Sequence, residues 1–313
     1  QASSSAASDV YKRQIPFLIS ELSILDCFQH LVDKKTDKLL VVGSGDDAAV
    51  IKAQDKDLVH SVDISKINTH FPKDSSPEDI AYRSIAVALS DLAAMGAYPS
   101  FISIGLTSNS SDLDWYKKFT SGVEKILNEY EIQLVGGDVT NGEVSVCVNV
   151  FGYAYEKNVL RSTAEIGDLI FITGPLGEGR QGLSDWNKKE KSEYIKKFFK
   201  PVIQFKKSKY ISKYASSCID ISDGLIKDLG SICKKSGVGA EIIFEKVPIT
   251  NDINDLSYGD DYKLCYTCSP KNIDNKFIIQ DHLIGKITSK KEIILIKENL
   301  VFDFKKNGWD SFA

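Results

Sequence analysis

Six short segments of this chain place aspartates beside glycine, serine or the ends of apolar runs: Asp46 with Asp47, Asp63, Asp91, Asp138, Asp220 with Asp223, and Asp260 with Asp261. An alternation of apolar strands and helices buries the middle of each element and leaves its ends at a rim. The recurring acids are then either scattered turn residues or parts of one converging cluster. Aspartate accepts local backbone hydrogen bonds and glycine tolerates positive φ, so no single segment decides between the two. If the acids converge, only hard cations among them relieve their repulsion, and an all-oxygen ligand set suits Mg²⁺. Bound Mg²⁺ in turn recruits phosphates.

The apolar periodicity gives the frame. Helical spacing runs over residues 17–32, and short strands are predicted at 39–42, 48–51 and 58–62. Ser76-Pro77-Glu78-Asp79 is a helix start, with an N-cap serine, a first-turn proline and early acids; Ala81, Ile85, Ala88, Leu92 and Met95 form its apolar side before Gly96 stops it. A strand at 101–106, a helix at 114–130 and strands at 133–137 and 144–153 follow. The pattern weakens over 156–167, where the domain boundary is placed. A second α/β unit is predicted beyond it, with helices near 192–214 and 224–236 and strands near 240–245, 263–268 and 293–302. The expectation is an α/β (α+β) protein of two domains, 15–156 and 157–313, which 313 residues at 42% apolar content can support.

Residues 1–14 are small, polar and aperiodic, and are read as a non-native leader, Met95 being the only methionine. A formal charge of −4 from 39 basic and 43 acidic residues gives no reason to expect nucleic acid or a membrane surface as partner. No apolar run reaches the length of a membrane span, and the six cysteines are scattered through apolar segments, so a reducing, cytoplasmic location is expected. Cys265 and Cys268 form a C-x-x-C inside strand-like alternation without a second pair, and are read as strand interior rather than a zinc site.

Two of the acidic segments resist a bland reading. Asp91 lies near the C-terminal end of its helix, where the macrodipole disfavours an anion, so a compensating cation is expected. Asp220-Ile-Ser-Asp223-Gly packs carboxylates and a hydroxyl at a helix entrance; N-capping by Ser222 or Asp223 competes with metal ligation as its explanation. The common nucleotide loops are missing: the nearest match to a P-loop, Gly174-Pro-Leu-Gly-Glu-Gly179-Arg-Gln, lacks the lysine and the hydroxyl. In a lysine-rich chain only Arg13, Arg83, Arg161 and Arg180 occur, and Arg161, before the second domain, is a candidate nucleotide contact or else a surface residue.

Seven ordered segments together resemble the bacterial thiamine-monophosphate kinases of the aminoimidazole-ribonucleotide-synthetase-like superfamily. They are Gly45-Asp-Asp-Ala-Ala-Val50, Ser61-Val-Asp63 with His70-Phe-Pro72, Leu89-Ser-Asp-Leu-Ala-Ala-Met-Gly96, Gly136-Gly-Asp138, Asp220-Ile-Ser-Asp-Gly-Leu225, Gly259-Asp-Asp-Tyr262 and Gly308-Trp-Asp-Ser-Phe312. The resemblance implies two α/β domains with mixed sheets and flanking helices, dimerising through the N-terminal sheets, with ATP and several Mg²⁺ ions in the cleft between domains. It implies metal binding by Asp47, Ser61, Asp63, Asp91, Asp138, Asp220 and Asp223, ATP contacts from Gly137, Asp138, Arg161 and Ser222, and thiamine-phosphate contacts from His70, Asp260 and Trp309. The chain departs from the family pattern at Val62 (threonine), Ala88 (asparagine), Tyr258 (glycine) and Asp260 (glutamate).

The expected chemistry is transfer of the ATP γ-phosphoryl group to a phosphate oxygen of thiamine monophosphate, without a general base. His70 is then a phosphate or positioning contact, and Trp309 either stacks on the thiamine ring or closes a core. The alternatives are another ATP-dependent synthetase of the superfamily and a nucleotide-binding protein that has lost catalysis.

Overall fold

In the computed structural model of the chain, the described residues are 20–32, 34, 38–43, 48–272, 280–305 and 308–309. The expected leader, the pair Asp46 and Asp47, and residues 310–313 of the closing motif lie outside them.

The N-terminal half contains helix α1 (Glu21–Val32), a small antiparallel pair β1 (Leu40–Val42) and β2 (Val50–Ile51), then β3 (Leu58–Lys66), α2 (Pro77–Ala94), β4 (Ala97–Thr107), α3 (Leu113–Tyr130), β5 (Gln133–Thr140) and β6 (Ser145–Ala154). The last four strands form a sheet in the order β3-β6-β4-β5, in which only β4 and β5 run parallel. The sequence dictates α2 closely. Ser76 caps it by accepting from the Asp79 N–H at 3.1 Å, Pro77 occupies the first turn, and Gly96 ends it at φ 74°. Ile85, Leu89 and Leu92 of α2, fully buried, share one core with Val146, Val148 and Val150 of β6. Each such side chain contributes about 1.5–3 kcal/mol relative to exposure. The other face of the sheet is open along β3, where Leu58, Val62 and Ile64 are 57%, 53% and 56% exposed.

The second half builds a seven-stranded sheet in the order β13-β12-β9-β11-β7-β10-β8. Its strands are β7 (Leu169–Ile172), β8 (Ser217–Asp220), β9 (Gly239–Ile243), β10 (Leu264–Cys268), β11 (His282–Thr288), β12 (Ile293–Lys297) and β13 (Leu300–Phe302). The helices are α4 (Glu178–Lys188), α5 (Glu193–Phe199), α6 (Phe205–Tyr214), α7 (Leu225–Ser236) and the single turn α8 (Asp255–Tyr258). A second core gathers Ile170, Ile172, Ile219, Leu229 and Ile242 between this sheet and α7. The first sheet ends at Ala154 and the second begins at Leu169. α2 touches the sheet of its own half and also β8, α5 and α6, so it runs along the seam between the two halves.

Two sequence expectations change. The helix predicted over 192–214 is two helices, α5 and α6, broken at Pro201, because proline disfavours helix at the residue before it and has no N–H to donate. The strand predicted over 293–302 is a hairpin, β12 and β13, turned by Glu298 and Asn299 at φ 52° and 62°. Cys265 and Cys268 lie in the fully buried β10, and all six cysteines are free thiols. Among the described residues no helix is long and apolar enough to cross a membrane.

Candidate active site

A cavity of roughly 750 Å³ opens along the seam and is lined from both halves. From the first half come Asp63 inside β3, the loop 68–74 with His70, and Arg83 and Asp91 of α2; from the second come Asp220 at the end of β8, Ser222 and Asp223 just beyond it, Phe198 of α5, the segment 258–262 and Trp309. Eight of the residues singled out from sequence therefore line one cavity: Asp63, His70, Asp91, Asp220, Ser222, Asp223, Asp260 and Trp309.

Of the carboxylates that meet here Asp220 is buried, and Asp63, Asp91 and Asp223 are half-buried. Ser61 donates its hydroxyl to Asp91 Oδ2 at 2.5 Å, and Ser90 donates to Asp220 Oδ2 at 2.8 Å. Burial pushes the Asp91 carboxyl upward, Asp63 adds to the shift, and the Ser61 hydrogen bond and Arg161 oppose it. Burial and then Asp91 push Asp220 upward as well, against Ser90 and Arg161. Arg161 opposes both shifts by its charge alone: among the described residues it pairs with neither acid, and it does not line the cavity.

Capping does not explain the Asp220–Asp223 segment. The N-cap of α7 is Gly224, with no side-chain hydrogen bond. Instead Asp228, one turn into the helix, accepts the backbone N–H groups of both Ser222 and Asp223 at 3.0 Å. The Asp223 side chain is left to face the cavity, where Lys227 pairs with it at 2.7 Å. Burial, with Asp223 beside it, raises the Asp228 carboxyl to about 7 against those N–H bonds.

His70 is fixed as one tautomer. Its Nδ1 accepts the Lys66 N–H at 3.0 Å, so the neutral ring carries its proton on Nε2. Burial lowers its pKa against the pull of Asp63, so the neutral form is favoured. Trp309 meets His70 edge-on at 5.9 Å between centroids and is 41% exposed, which removes the core-closing reading. Its backbone N–H donates to the Asp223 carbonyl at 2.9 Å, tying the C-terminal segment to the acidic loop.

Gly137 and Asp138 stand apart. The row Asp63, Val148, Ile104, Gly137 crosses the whole N-terminal sheet, so Gly137 lies three strands from Asp63, about 14 Å at ordinary spacing. Asp138, one residue on, shares its row with Ile64, Cys147 and Gly105 and so belongs to the open face of the sheet. Neither residue lines the cavity.

Sequence reasoning missed Arg83, Asp228, Phe198 and Tyr262. Arg83 had a signal: it is the only basic residue in the 18 residues of α2, among buried Ala, Ile and Leu, where a cation needs partners. Asp228 lies one helical turn beyond the acidic motif and Tyr262 closes the Gly259–Tyr262 segment, whereas Phe198 meets the site only through tertiary packing.

The donors suit Mg²⁺ in kind, being carboxylate and hydroxyl oxygens without a competing sulfur or imidazole cage. Among the described residues no three acidic, His or Cys side chains close around one ion.

The aminoimidazole-ribonucleotide-synthetase-related N-terminal domain, described as "AIR synthase related protein, N-terminal domain", matches residues 45–154. A thiamine-monophosphate kinase of Buchnera aphidicola subsp. Schizaphis graminum is 41% identical over 306 residues, covering 89% of this chain and 95% of the relative. The chain belongs to the thiamine-monophosphate kinase family. Among solved structures, the family member from Stenotrophomonas maltophilia K279a superposes with a TM-score of 0.79 at 27% identity, over 88% of this chain and 96% of that one. AaThiL complexed with AMPPCP and TMP superposes at a TM-score of 0.74 and 27% identity, over 92% of this chain and 96% of that one. The α/β fold of these kinases is thus shared along nearly the whole chain.

Proposed function

We infer that this chain is an ATP-dependent kinase that converts thiamine monophosphate to thiamine diphosphate. One observation carries the reading at the level of the site: one cavity between the two halves is lined together by Asp63, Asp91, Asp220, Asp223, the neutral His70 and the exposed Trp309. The family relatives carry the substrate, since AaThiL is complexed with an ATP analogue and TMP.

Two polyanions must meet in this reaction, and an acidic cavity would repel both. Mg²⁺ held by Asp63, Asp91, Asp220, Asp223 and Asp47, with Ser61 as an accessory oxygen, supplies the neutralising charge when bound. Arg161 and Ser222 contact the nucleotide phosphates in this reading. His70 donates from Nε2 to the substrate phosphate, Trp309 packs against the thiamine ring, and Asp260 borders the same lobe. A terminal oxygen of thiamine monophosphate attacks the γ-phosphorus in line; the new P–O bond forms as the bond to the β,γ-bridging oxygen breaks, and ADP leaves. The nucleophile is already ionised near neutral pH, a phosphate monoester having its second pKa near ~6, so no side chain removes a proton.

Gly137 and Asp138 enter the site from a second copy of the chain. The open face of the N-terminal sheet carries exposed Leu58 and Ile64, the latter in the row of Asp138, and a homodimer covering this face would present that aspartate to the partner's cleft. The domain limits 15–156 and 157–313 and a cytoplasmic location, where six free thiols stay reduced, complete the proposal.

The test is incubation of the purified chain with ATP, Mg²⁺ and thiamine monophosphate, and chromatography of the thiamine species. Thiamine diphosphate is expected; its absence from a folded preparation, with a working control kinase, would refute the assignment.

A further inference from the structure

Arg83 is buried at 4% exposure on the cavity wall, and each of its three nitrogens holds a different segment of the chain. Nε donates to the carbonyl of His70 at 3.0 Å, Nη1 donates to the carbonyl of Phe198, and Nη2 pairs with Asp260 Oδ1 at 2.5 Å. The guanidinium plane also lies over the Phe198 ring, 4.0 Å from its centroid. These partners are 13, 115 and 177 residues away in sequence and come from both halves of the molecule. A planar fork with fixed donor directions can serve three such acceptors at once; an ammonium, a point charge, cannot hold the same geometry.

We propose that Arg83 is a positioning residue for the phosphorylated acceptor: it locks His70 and Asp260 across the seam and so shapes the thiamine-phosphate lobe without touching the nucleotide. This rests on the kinase reading above. Two further observations favour it over a purely structural ion pair. Asp260 sits at φ 64° and Tyr262 at φ 50°, strained conformations for residues other than glycine, and a loop held in such a shape needs an external tether. Arg83 is bonded to the His70 backbone itself, so its loss frees the loop 68–74 that roofs one end of the cavity. The acids gathered for the metal-bound nucleotide, Asp91 and Asp220, are held by Ser61 and Ser90 and make no hydrogen bond to Arg83.

The roles separate kinetically. Arg83→Met is expected to raise KM for thiamine monophosphate about ten- to a hundredfold, the scale of a lost charge-assisted hydrogen bond, with KM for ATP within about twofold. Arg83→Lys, which keeps charge and one contact, is expected to recover part of the loss. In the double variant with Asp260→Asn, the second change should add little, because the pair acts as a unit. Equal rises in both KM values, or an unchanged acceptor KM with a folded variant, would overturn the role. So would loss of the folded state in both Arg83 variants, which would make the residue structural. A wild-type chain that forms no diphosphate would overturn the kinase reading together with this one, whereas an active wild type with unaltered variants would overturn this one alone.

Discussion

Asp228 holds Asp223 through the backbone: its Oδ2 accepts the Asp223 N–H at 3.0 Å and the neighbouring Ser222 N–H at the same distance. The side chain that a helix start would ordinarily use as a cap is thereby released toward the cavity, while the capping work is done from inside the helix. Replacing Asp228 by Ala leaves two half-buried donors without their partner and should cost about 1–2 kcal/mol of stability by denaturant titration. Turnover should fall further than stability explains, since the loop carrying Asp223 loses its anchor. An Asp228→Ala protein with wild-type kcat would remove Asp228 from the account.

The buried acids repel one another until cations join them. Metal-free Asp220→Asn is therefore expected to melt at or above the wild-type temperature while losing nearly all turnover, because the change removes a like charge beside Asp91. Mg²⁺ with nucleotide, at about a hundred times its dissociation constant, should raise the wild-type Tm by about 5 °C or more and the variant's by less. Equal gains in both proteins, read by differential scanning fluorimetry with and without EDTA, would contradict the metal assignment.

His70 gives a pH signature with a definite sign. Burial favours its neutral ring in the folded protein, so the unfolded chain takes up a proton that the folded one resists. Its stability contribution is present above the ordinary histidine pKa of about 6.5 and is lost as pH falls below it. His70→Gln should flatten that part of the stability profile, and should also abolish the rise of acceptor KM expected at low pH, when Nδ1 becomes protonated and its bond to the Lys66 N–H is broken. An unchanged profile in the variant would show that another group sets the pH response.

The open sheet face predicts an assembly. Leu58→Lys with Ile64→Lys places two charges on a face exposed in the isolated chain and away from the cavity lining, so the fold should survive and the mass by light scattering should halve. If Asp138 acts across that interface, activity falls with the mass. A monomeric variant of full activity would return Gly137 and Asp138 to some other role.

Much of the frame was readable because its signals are local. Ser76-Pro77 opened α2 and Gly96 closed it, and the strand read over 144–153 is β6, Ser145–Ala154. The acids were readable as chemistry because carboxylates at strand ends are conspicuous, and most of those described fall on one cavity. The break at Pro201 carried its own local mark, outweighed by the helical spacing on either side. β8, four residues long, and the fork of Arg83 left none: the first is too short for periodicity to speak, and the second is written in contacts more than a hundred residues apart.

The most direct test of the account is ³¹P NMR of the chain with ATP, Mg²⁺ and thiamine monophosphate. The account predicts that the γ-phosphate resonance of ATP disappears as the two resonances of thiamine diphosphate grow in equal measure with ADP, with no inorganic phosphate. Release of inorganic phosphate without the diphosphate, or ATP left intact by a folded, nucleotide-binding protein, would contradict it.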